Sequence, residues 1–457
     1  MARGCASQHS CEGIPGPTEG HACGRRTLLV KGAEVEVVKS KRALLALITL
    51  AVAGALPSLA AGPRLIWKTK VGGRVYTSPV TCELLPSPGL ETVVCASEER
   101  KVICLSAKGK VLWSFGEGFS ARLTPTPALA DLDTDGKLEI VVAGGGGRLV
   151  CLSNAGALRW RVKLEGEVDW SAPVIADVAG DGSPVIAVGT DSGFVFCVSA
   201  SGTVLWKAKL GGGASNLLAA ADVNADNRKE IVAAADRTLF CLDGSGRTLW
   251  QFPSPAGCSG ASVGDIDGDG ALEIVTACDD QTMYCLNGSG QAKWTYHGGY
   301  SGGGSGGFTL PSLCDMDGDG RLEVIFGDSN GAVRCLDSAG TERWYFPTGW
   351  GVSAQPTIGD IEGDSKMEVL AGFDDGAITC LDANGCVKWL YITDFRVLSS
   401  PTLVDIDGDG RAEVMVTSND NFVYCLRPPG NKPSGRLPWP MQRADLQQTG
   451  AVTVGQR

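Results

Sequence analysis

Nine tryptophans recur at similar intervals through this chain of 457 residues. Neighbouring copies are 44 to 50 residues apart, and they stand at Trp67, Trp113, Trp160, Trp206, Trp250, Trp294, Trp344, Trp389 and Trp439. Between two tryptophans the chain repeats the same order of an acidic loop, an apolar run, a cysteine and a glycine. A repeat of this length is typical of folds in which each unit buries its apolar face against its neighbours. Eight units between residues 67 and 439 therefore predict one large domain, although the length alone would allow two or three.

Each unit reads as four short strands. In the unit at residues 260–297, turn residues separate apolar segments at 260–264, 274–277, 282–286 and 291–296. The apolar runs are nearly unbroken, which indicates sheets that are covered on both faces. Short strands at this spacing, four to a unit, predict antiparallel propeller blades. The fold class that we expect is all-β: an eight-bladed β-propeller with four antiparallel strands in each blade.

The two ends of the repeat array set the boundaries of the propeller. Residues 64–70, Arg-Leu-Ile-Trp-Lys-Thr-Lys, match a fourth strand that has no blade before it. We therefore expect this N-terminal strand to complete the last blade and close the ring, so that residues 62–440 form the propeller. Prolines flank Trp439 and disfavour a strand there. We expect residues 441–457 to form an exposed C-terminal tail.

Cysteine is unusually frequent, with 17 copies, but its placement argues against a disulfide scaffold. Eight cysteines hold one position in every unit, at Cys104, Cys151, Cys197, Cys241, Cys285, Cys335, Cys380 and Cys425. Equivalent positions in successive blades are separated by whole sheets, so these thiols are poorly placed to pair with one another. We interpret them as small buried hydrophobic residues. The tryptophan nine residues later in seven units is predicted to dock one blade on the next.

Acidic loops of the form Asp-x-Asp-x-Asp-Gly-x-x-Glu precede the second predicted strand. They place side-chain oxygens at positions 1, 3, 5 and 9, and their glycine allows a sharp turn. Calcium takes six to eight oxygen ligands in flexible geometry. Four copies are complete: Asp131/Asp133/Asp135/Glu139, Asp265/Asp267/Asp269/Glu273, Asp315/Asp317/Asp319/Glu323 and Asp405/Asp407/Asp409/Glu413. Two are altered at position 3: Asp222/Asn224/Asp226/Glu230 and Asp360/Glu362/Asp364/Glu368.

The other two loops have lost ligand positions. The first unit has Leu85 and Ser87 there, and the third has Ala179 and Val185. Aspartate and glycine also favour turns that bind nothing, but four complete copies favour a cation. We expect structural Ca²⁺ in at least one loop, stabilising the folded protein by mass action.

The N-terminal region resembles an export signal. A basic segment at residues 39–42 precedes an apolar run at residues 43–56, and small residues follow up to Ala60. This order is typical of a secretory signal peptide, and the run is short for a membrane span. We expect export to the periplasm, the cell surface or the medium, with an uncleaved anchor as the alternative. Because a signal should begin a chain, we also expect the true start near Val37 or Val38.

The charge and histidine content exclude some classes of function. The net charge is −11, which argues against a nucleic-acid binder, because that function needs a basic stripe. The only histidines are His9, His21 and His297, too few for a histidine-built metal centre. We expect a monomer.

Two segments carry a resemblance to known families. The segments Cys380-Leu-Asp-Ala-Asn-Gly-Cys-Val-Lys-Trp389 and Cys241-Leu-Asp-Gly-Ser-Gly-Arg-Thr-Leu-Trp250 resemble the tryptophan-docking motif of PQQ-type (quinoprotein) eight-bladed propellers. That motif has alanine where this chain has cysteine. The acidic loops resemble the calcium loops of FG-GAP/VCBS repeats, the units of integrin α-type propellers. The resemblance covers about residues 64–440. PQQ dehydrogenases usually carry an adjacent Cys-Cys pair, which this chain lacks, so PQQ is not expected as a cofactor.

The face opposite the acidic loops holds the irregular aromatic residues. Trp170, Tyr300, Trp350 and Phe395 fall in connections between blades, and the two tryptophans lie outside the repeat period. Exposed aromatic residues on loops are typical of a binding surface. The alternative is that they cap the mouth of the channel.

Two classes of function remain open. The first is a non-catalytic binding or scaffold module for a protein or a glycan. The second is a propeller enzyme, either a quinoprotein-type dehydrogenase or an enzyme that acts on polysaccharides. His297 is the one histidine after the signal that could act as an acid or base, and a single histidine beside glycines is more often structural. We expect no catalytic residues and favour the first class.

Overall fold

The computed structural model describes residues 62–212, 214–298, 307–430, 432–445 and 448–451. The chain divides into two units, Met1–Pro57 and Ser58–Arg457, and the described residues all belong to the second. The predicted signal peptide at 43–56 and the predicted start near Val37 or Val38 lie outside them. Among the described residues, no helix has the length and hydrophobicity that a membrane crossing requires.

Within the described ranges, 32 strands form eight antiparallel sheets of four strands each. The N-terminal strand is β1 (Arg64–Lys70). Blades 1 to 4 contain, in chain order, β2 (Val80–Cys82), β3 (Glu91–Ala96), β4 (Lys101–Leu105), β5 (Val111–Phe115), β6 (Ala128–Ala130), β7 (Glu139–Gly144), β8 (Arg148–Leu152), β9 (Leu158–Lys163), β10 (Val174–Ala176), β11 (Val185–Gly189), β12 (Phe194–Ser199), β13 (Val204–Lys209), β14 (Ala214–Ala221), β15 (Glu230–Ala235), β16 (Thr238–Leu242) and β17 (Thr248–Pro253).

The other half of the ring repeats the same pattern. Blades 5 to 8 contain β18 (Cys258–Gly264), β19 (Glu273–Cys278), β20 (Thr282–Leu286), β21 (Ala292–His297), β22 (Ser312–Cys314), β23 (Glu323–Asp328), β24 (Ala332–Leu336), β25 (Glu342–Pro347), β26 (Thr357–Gly359), β27 (Glu368–Gly372), β28 (Ala377–Leu381), β29 (Val387–Ile392), β30 (Thr402–Val404), β31 (Glu413–Ser418) and β32 (Phe422–Arg427). The predicted eight-bladed propeller is therefore confirmed.

The ring closes through the N-terminal strand, as predicted. Strand β1 pairs antiparallel with β32 and supplies the fourth strand of blade 8. A second link joins the inner strands of blades 8 and 1, because the Thr402 hydroxyl donates to the Pro79 carbonyl at 2.6 Å. Equivalent hydroxyl-to-carbonyl bonds join the preceding blades: Ser262 to Pro311, Ser312 to Pro356 and Thr357 to Pro401. The closure thus repeats the contact that holds ordinary neighbours together.

In seven of the eight outer strands the ring of the repeated tryptophan lies over a glycine of the next blade, and Trp389 of β29 is the exception. The Trp344 indole donates from Nε1 to the Ala383 carbonyl of the following blade at 2.9 Å. Its ring covers Gly385, where an added Cβ would lie 2.7 Å from the ring and where φ is +77°. The repeated cysteine lies directly across the sheet from the tryptophan, as in the pair Cys335 and Trp344. The glycine is required because no other residue fits under the indole in this conformation.

The eight repeated cysteines are buried free thiols, which agrees with their interpretation as hydrophobic residues. Burial raises the pKa of the Cys151 thiol to about 12, so it stays protonated and unreactive. The sequence did not indicate the one disulfide among the described residues, between Cys258 and Cys278. These two residues face each other in adjacent strands, and their Cα atoms are 4.0 Å apart.

The prediction of an exposed tail is wrong for residues 441–445 and 448–451. Backbone bonds tie this region and the residues before it to inner strands: the Trp439 carbonyl accepts from Ile358 N–H, and the Gly450 carbonyl accepts from Val263 N–H. Arg443 is almost fully buried. Inner strands have one unpaired edge whose N–H groups need acceptors. The C-terminal segment, with Trp439 and Pro440 before it, supplies acceptors to β14, β18, β26 and β30.

Candidate functional site

The acidic loops lie at one end of the ring, which we call the acidic face. Each joins the first strand of a blade to the second, and positions 4 and 6 have positive φ, as at Gly408 (77°) and Gly410 (85°). The position 1 carboxylate folds the loop around itself: Asp405 accepts the N–H groups of Asp409 at 3.0 Å and Gly410 at 2.7 Å. Left-handed conformation at two positions explains the glycines of the Asp-x-Asp-Gly-Asp-Gly pattern.

The position 9 glutamate begins the second strand and is buried under the loop. In blade 7, Glu368 Oε2 accepts the N–H of Ile361 at 2.9 Å. The same bond, from the residue at position 2, recurs at Glu139, Glu230, Glu273, Glu323 and Glu413. One oxygen of each glutamate therefore fixes the backbone, and the other points towards the loop acids.

Five of the six predicted loops bring carboxylate oxygens together. Within each cluster the oxygens lie within 4.8 Å of one another: Asp131/Asp133/Glu139, Asp265/Asp267/Asp269, Asp315/Asp317/Glu323, Glu362/Asp364/Glu368 and Asp405/Asp407/Glu413. The donor set fits a hard cation such as Ca²⁺, which prefers oxygen ligands.

The clusters depart from the predicted ligand set at position 5. Asp135, Asp319 and Asp409 were predicted as ligands in blades 2, 6 and 8, but none of them belongs to the cluster of its loop. Each of the three carboxylates accepts a hydrogen bond from the loop backbone. Asp135 Oδ1 accepts the Lys137 N–H at 2.8 Å, and Asp319 Oδ1 accepts the Arg321 N–H at 2.8 Å. This local bond to the residue two positions later is the usual turn chemistry of aspartate. Asp269 and Asp364 make the same bond and still belong to the clusters of their loops.

Other predicted ligands also lie outside the clusters. Asp360 at position 1 of blade 7 accepts the N–H groups of Asp364 and Ser365, at 3.0 and 2.8 Å. Glu273 at position 9 of blade 5 is absent from the cluster of that loop as well. The whole blade 4 loop, Asp222/Asn224/Asp226/Glu230, forms no such cluster among the described residues. Its Asn224 amide donates to Glu230 Oε1 at 3.1 Å, so an amide stands where the other loops have a carboxylate.

A basic side chain closes each of the five clusters, which the sequence analysis missed. In blade 7, Lys388 Nζ lies 2.8 Å from Glu362 Oε2 at position 3 and 2.8 Å from Glu368 Oε1 at position 9. The same bridge is made by Arg159 in blade 2, Lys293 in blade 5, Arg343 in blade 6 and Arg427 in blade 8. We call these residues the tethered bases. A cation that bound both oxygens would have to displace the tethered base.

The tethered base and the position 3 acid occur together. In blades 2, 5, 6 and 7 the base directly precedes the docking tryptophan. Blades 1, 3 and 4 have leucine at this place and no acid at position 3. Blade 8 has Ile66 there, and Arg427 of the neighbouring strand reaches its loop instead. This joint occurrence within one chain indicates that the base serves as counter-ion to the loop. The identity of the residue before the tryptophan is the sequence feature from which the tethered bases could have been predicted.

The electrostatics of the loops follow from burial and from the tethered bases. Burial and the nearby Asp317 raise the pKa of Glu323 to about 7, although the Met316 N–H and Arg343 oppose the change. In blade 4, which has no tethered base, burial together with Asp226 and Asp222 raises the pKa of Glu230 to about 7 against the Val223 N–H. A cation in either place offsets the cost of keeping such a carboxylate charged.

The opposite end of the ring carries the second-to-third-strand turns and the connections between blades, and we call it the connection face. Trp170, Trp350 and Phe395 are 54%, 49% and 46% exposed there. Trp170 meets Tyr76 edge to face, with ring centroids 6.3 Å apart. The predicted Tyr300 lies outside the described residues. His297 is exposed, and its Nδ1 lies 3.2 Å from the Thr282 hydroxyl.

A cavity of about 370 Å³ opens on the connection face between blades 8 and 1. We call it the closure cavity. It is lined by Gly73, Arg74, Glu98, Asp394, Phe395, Asn419, Asp420 and Asn421. Of the aromatic residues singled out from the sequence, Phe395 lines this cavity, whereas Trp170 and Trp350 do not. Sequence reasoning could not find the cavity, because its walls come from opposite ends of the chain.

Comparisons with known proteins agree with this architecture. Residues 184–257 match a family described as the lambda-carrageenase β-propeller domain. Residues 265–326 and 315–371 each match the FG-GAP-like repeat. No curated protein matches the chain significantly.

Solved structures share the fold at low sequence identity. The V. cholerae biofilm matrix protein Bap1 has a TM-score of 0.65 and 16% identity, over 86% of this chain and 96% of that one. BamB from Moraxella catarrhalis has a TM-score of 0.56 and 18% identity, over 81% and 99%. A quinohemoprotein alcohol dehydrogenase from Pseudomonas putida has a TM-score of 0.57 and 10% identity, over 81% and 77%. The chain is an eight-bladed β-propeller that contains FG-GAP-like repeats.

Proposed function

We propose that this protein is an exported β-propeller, stabilised by Ca²⁺ in its acidic loops, that acts as a non-catalytic binding or scaffold module. The observation that carries the binding role is the exposure of Trp170, Trp350 and Phe395 on the connection face. Exposed large aromatic residues of this kind mark interaction surfaces. The ligand is a protein or a glycan, and a purified protein used as bait on the native envelope fraction identifies which. The double variant Trp170→Ala/Trp350→Ala should fail to capture the ligand while it keeps the melting temperature of the wild type.

Calcium is supported by the convergent carboxylates and by the FG-GAP-like repeats. The clustered oxygens, which in blades 2, 6 and 8 belong to positions 1, 3 and 9, would hold the ion, and the ion supplies positive charge under the loop. Binding to the folded state alone raises stability by RT ln(1 + [Ca²⁺]/Kd). We expect the melting temperature to rise with CaCl₂ and to fall with EDTA. Equal melting temperatures in both solutions, with MgCl₂ as the control ion, would remove calcium from the proposal.

Export is supported by the signal-like segment at residues 43–56 and by the Cys258–Cys278 disulfide, since disulfides persist in oxidising compartments. Cell fractionation followed by mass spectrometry of the mature N-terminus tests this part. We expect a new N-terminus near residue 61 in an exported fraction. Peptides from residues 1–36 in the mature protein contradict the predicted start.

A glycan is favoured over a protein ligand by the match of residues 184–257 to the lambda-carrageenase propeller domain. The same match makes a polysaccharide-acting enzyme the second candidate. The two functions differ in one measurement, the appearance of new reducing ends when the protein is incubated with λ-carrageenan. Retention of the polysaccharide without new reducing ends supports the binding module, and turnover supports the enzyme.

A further inference from the structure

The C-terminal part of the chain lies in the central channel of the ring. We call residues 432–445 and 448–451 the channel segment. Carbonyls of this segment accept hydrogen bonds from inner strands of blades 4, 5, 7 and 8, through the N–H groups of Ala220, Val263, Ile358 and Leu403. Blades 4 and 8 stand opposite each other in a ring of eight, so a segment that bonds to both crosses the channel.

The channel segment enters from the acidic face, where Ser434 joins the loops of blades 7 and 8. The Ser434 N–H donates to the Gly410 carbonyl of blade 8 at 2.8 Å. The Ser434 hydroxyl accepts the Ala412 N–H of blade 8 at 2.7 Å and donates to the Ile361 carbonyl of blade 7 at 3.0 Å. One residue of the segment therefore links the acidic loops of two different blades.

In blade 7 the residues that hold the channel segment also hold clustered carboxylates. The Ile361 carbonyl accepts from the segment, and the Ile361 N–H donates to Glu368 at 2.9 Å. The Asp360 carbonyl accepts the Gly435 N–H at 2.8 Å, and the Asp360 side chain accepts the Asp364 N–H at 3.0 Å. Glu368 and Asp364 both belong to the blade 7 cluster. The segment is thus one residue away from two of the acids that converge in this loop.

Blade 8 repeats this arrangement. Gly410, whose carbonyl accepts from Ser434, donates its own N–H to Asp405 at 2.7 Å. Ala412, whose N–H donates to Ser434, directly precedes Glu413 in the chain. Asp405 and Glu413 belong to the blade 8 cluster. In both blades, the backbone conformation that brings the carboxylates together is therefore also the conformation that binds the channel segment.

Two binding events that need the same loop conformation favour each other. An ion that binds the clustered carboxylates stabilises this conformation over the others that the loop can adopt, and the docked segment does the same. The coupling is reciprocal, so docking of the segment raises the affinity for the ion by the factor by which the ion favours docking.

The part of the segment inside the channel has contacts that favour docking and contacts that oppose it. Trp439 is fully buried in the core of blades 5 to 7, which favours docking. Arg443 is also buried, and its Nη1 has no hydrogen-bond partner among the described residues. Burial lowers the pKa of the Arg443 guanidinium to about 10, because it removes water from the charge. Opening of the segment would return this water, so we expect the segment to open at a lower free energy than the ring unfolds.

We propose that the channel segment is a calcium-dependent latch, in which ions in the blade 7 and blade 8 loops hold Ser434 and its neighbours and so keep the segment docked in the channel. When the latch opens, the inner-strand N–H groups of four blades lose their acceptors and the channel opens to the acidic face. This proposal rests on the calcium part of the proposed function, because it states what the ions in two of the loops control.

Hydrogen–deuterium exchange of the purified protein, read by mass spectrometry, tests the proposal. Exchange is followed in CaCl₂, in MgCl₂ and in EDTA, and isothermal titration calorimetry reports whether calcium binds. The variant is Ser434→Ala, which removes the hydroxyl that bonds to both loops. Ser183→Ala is the matched control, because Ser183 is exposed on the same face in the blade 3 loop, whereas the segment contacts the loops of blades 7 and 8.

In the wild type, calcium should slow exchange in peptides from residues 432–445 at least about fivefold relative to EDTA, and MgCl₂ should not. Peptides from β11 and β12 of blade 3, whose loop has lost ligand positions, should change less. In Ser434→Ala the calcium effect on the segment should fall below about twofold, while Ser183→Ala should behave like the wild type. The wild-type comparison keeps the test valid if Ser434→Ala does not fold, which its melting temperature reports.

The other results separate this proposal from the proposed function. Calcium that binds in calorimetry but leaves exchange of the segment unchanged overturns the latch and keeps calcium as a stabiliser of the loops. A calcium effect that Ser434→Ala retains in full also overturns the latch, because the ions then act without this contact. Equal slowing in MgCl₂ overturns calcium as the ion of the latch. The absence of calcium binding overturns both the latch and the calcium part of the proposed function.

Discussion

Lys388→Met removes the charge of one tethered base and keeps most of the side-chain volume. In the wild type, the Lys388 ammonium bridges Glu362 and Glu368 at 2.8 Å each, and the Glu368 side chain is 1% exposed. Burial alone would lower the pKa of Lys388, but its hydrogen bonds to the two glutamates raise it, so the ammonium is stabilised in the folded protein. The variant leaves two carboxylates in contact without a counter-ion.

The expected loss of stability lies between two known limits. Breaking a fully buried ion pair costs about 3–5 kcal/mol, and an exposed pair contributes about 0–1 kcal/mol. Lys388 and Glu362 are about a quarter exposed, so we expect about 2 kcal/mol without calcium. An unfolding entropy of about 2.1 cal/mol/K per residue gives roughly 0.8 kcal/mol/K for the ring of about 390 residues. The melting temperature should therefore fall by about 2–3 °C in EDTA.

Calcium should recover most of the stability that Lys388→Met loses. In Lys388→Met the position 3 and position 9 oxygens are available to an ion, whereas in the wild type the ion must displace the ammonium. If removal of this competitor tightens the site tenfold, saturating calcium adds about 1.4 kcal/mol, or roughly 2 °C. Differential scanning calorimetry in EDTA and across a CaCl₂ titration measures both effects. Leu249→Met is the matched control, because it changes the same position in blade 4, where no acid stands at position 3.

Two results would refute this reasoning in different ways. A Lys388→Met protein that melts like the wild type in EDTA shows that the tethered base is not a counter-ion. A protein that is destabilised equally in EDTA and in CaCl₂ shows that the base stabilises the loop but does not compete with an ion for its carboxylates.

Three further predictions concern the ring. Gly385→Ala should lower the free energy of unfolding by about 3 kcal/mol, because φ is +77° and the new Cβ would lie 2.7 Å from Trp344. The control Gly136→Ala, with φ of +81° and nothing within 4 Å, should lower it by about 1–2 kcal/mol in thermal melts. Equal losses in the two variants contradict the docking role. N-ethylmaleimide should leave the eight repeated cysteines of the native protein unmodified by mass spectrometry, since they are buried. Trp439→Ala should lower stability by about 3–5 kcal/mol, and an unchanged melt would mean that the C-terminal segment does not hold the inner strands.

The repeated features of the blades could be predicted from the sequence, whereas the contacts between distant parts of the chain could not. The period of tryptophan, cysteine and glycine predicted the number of blades. Trp67 lies in a strand-like segment with no blade before it, and this predicted that the N-terminal strand closes the ring. The buried course of residues 441–445 and 448–451 could not be predicted from the sequence, because the unpaired edges that these residues cover exist only in the folded ring. The same holds for the closure cavity, in which Arg74 and Asn419 come together only when blade 8 meets blade 1.

The acidic loops could be predicted from the sequence only in part. Their acidic pattern was readable, but spacing alone could not show that the position 5 carboxylates of Asp135 and Asp319 bond to their own loop backbone. The tethered bases were not identified, since a lysine before a tryptophan resembles an ordinary exposed residue of an outer strand. Their meaning comes from the comparison of blades: position 3 is acidic where a base reaches the loop, and it is leucine, alanine or asparagine in blades 1, 3 and 4. Repetition within one chain thus provided an internal control that a single unit could not.

The tethered base and the docking tryptophan are neighbours in one strand, and this links the acidic face to the stability of the ring. Because side chains alternate along a strand, Arg343 turns towards its own loop while Trp344 turns towards the next blade. Arg343 binds Asp317 and Glu323 of blade 6, and Trp344 donates to Ala383 of blade 7. An ion that displaces Arg343 therefore acts on the strand that docks the two blades. Stability in a propeller depends on contacts between neighbouring units, so we expect a response to calcium to involve the ring as a whole and not one loop alone.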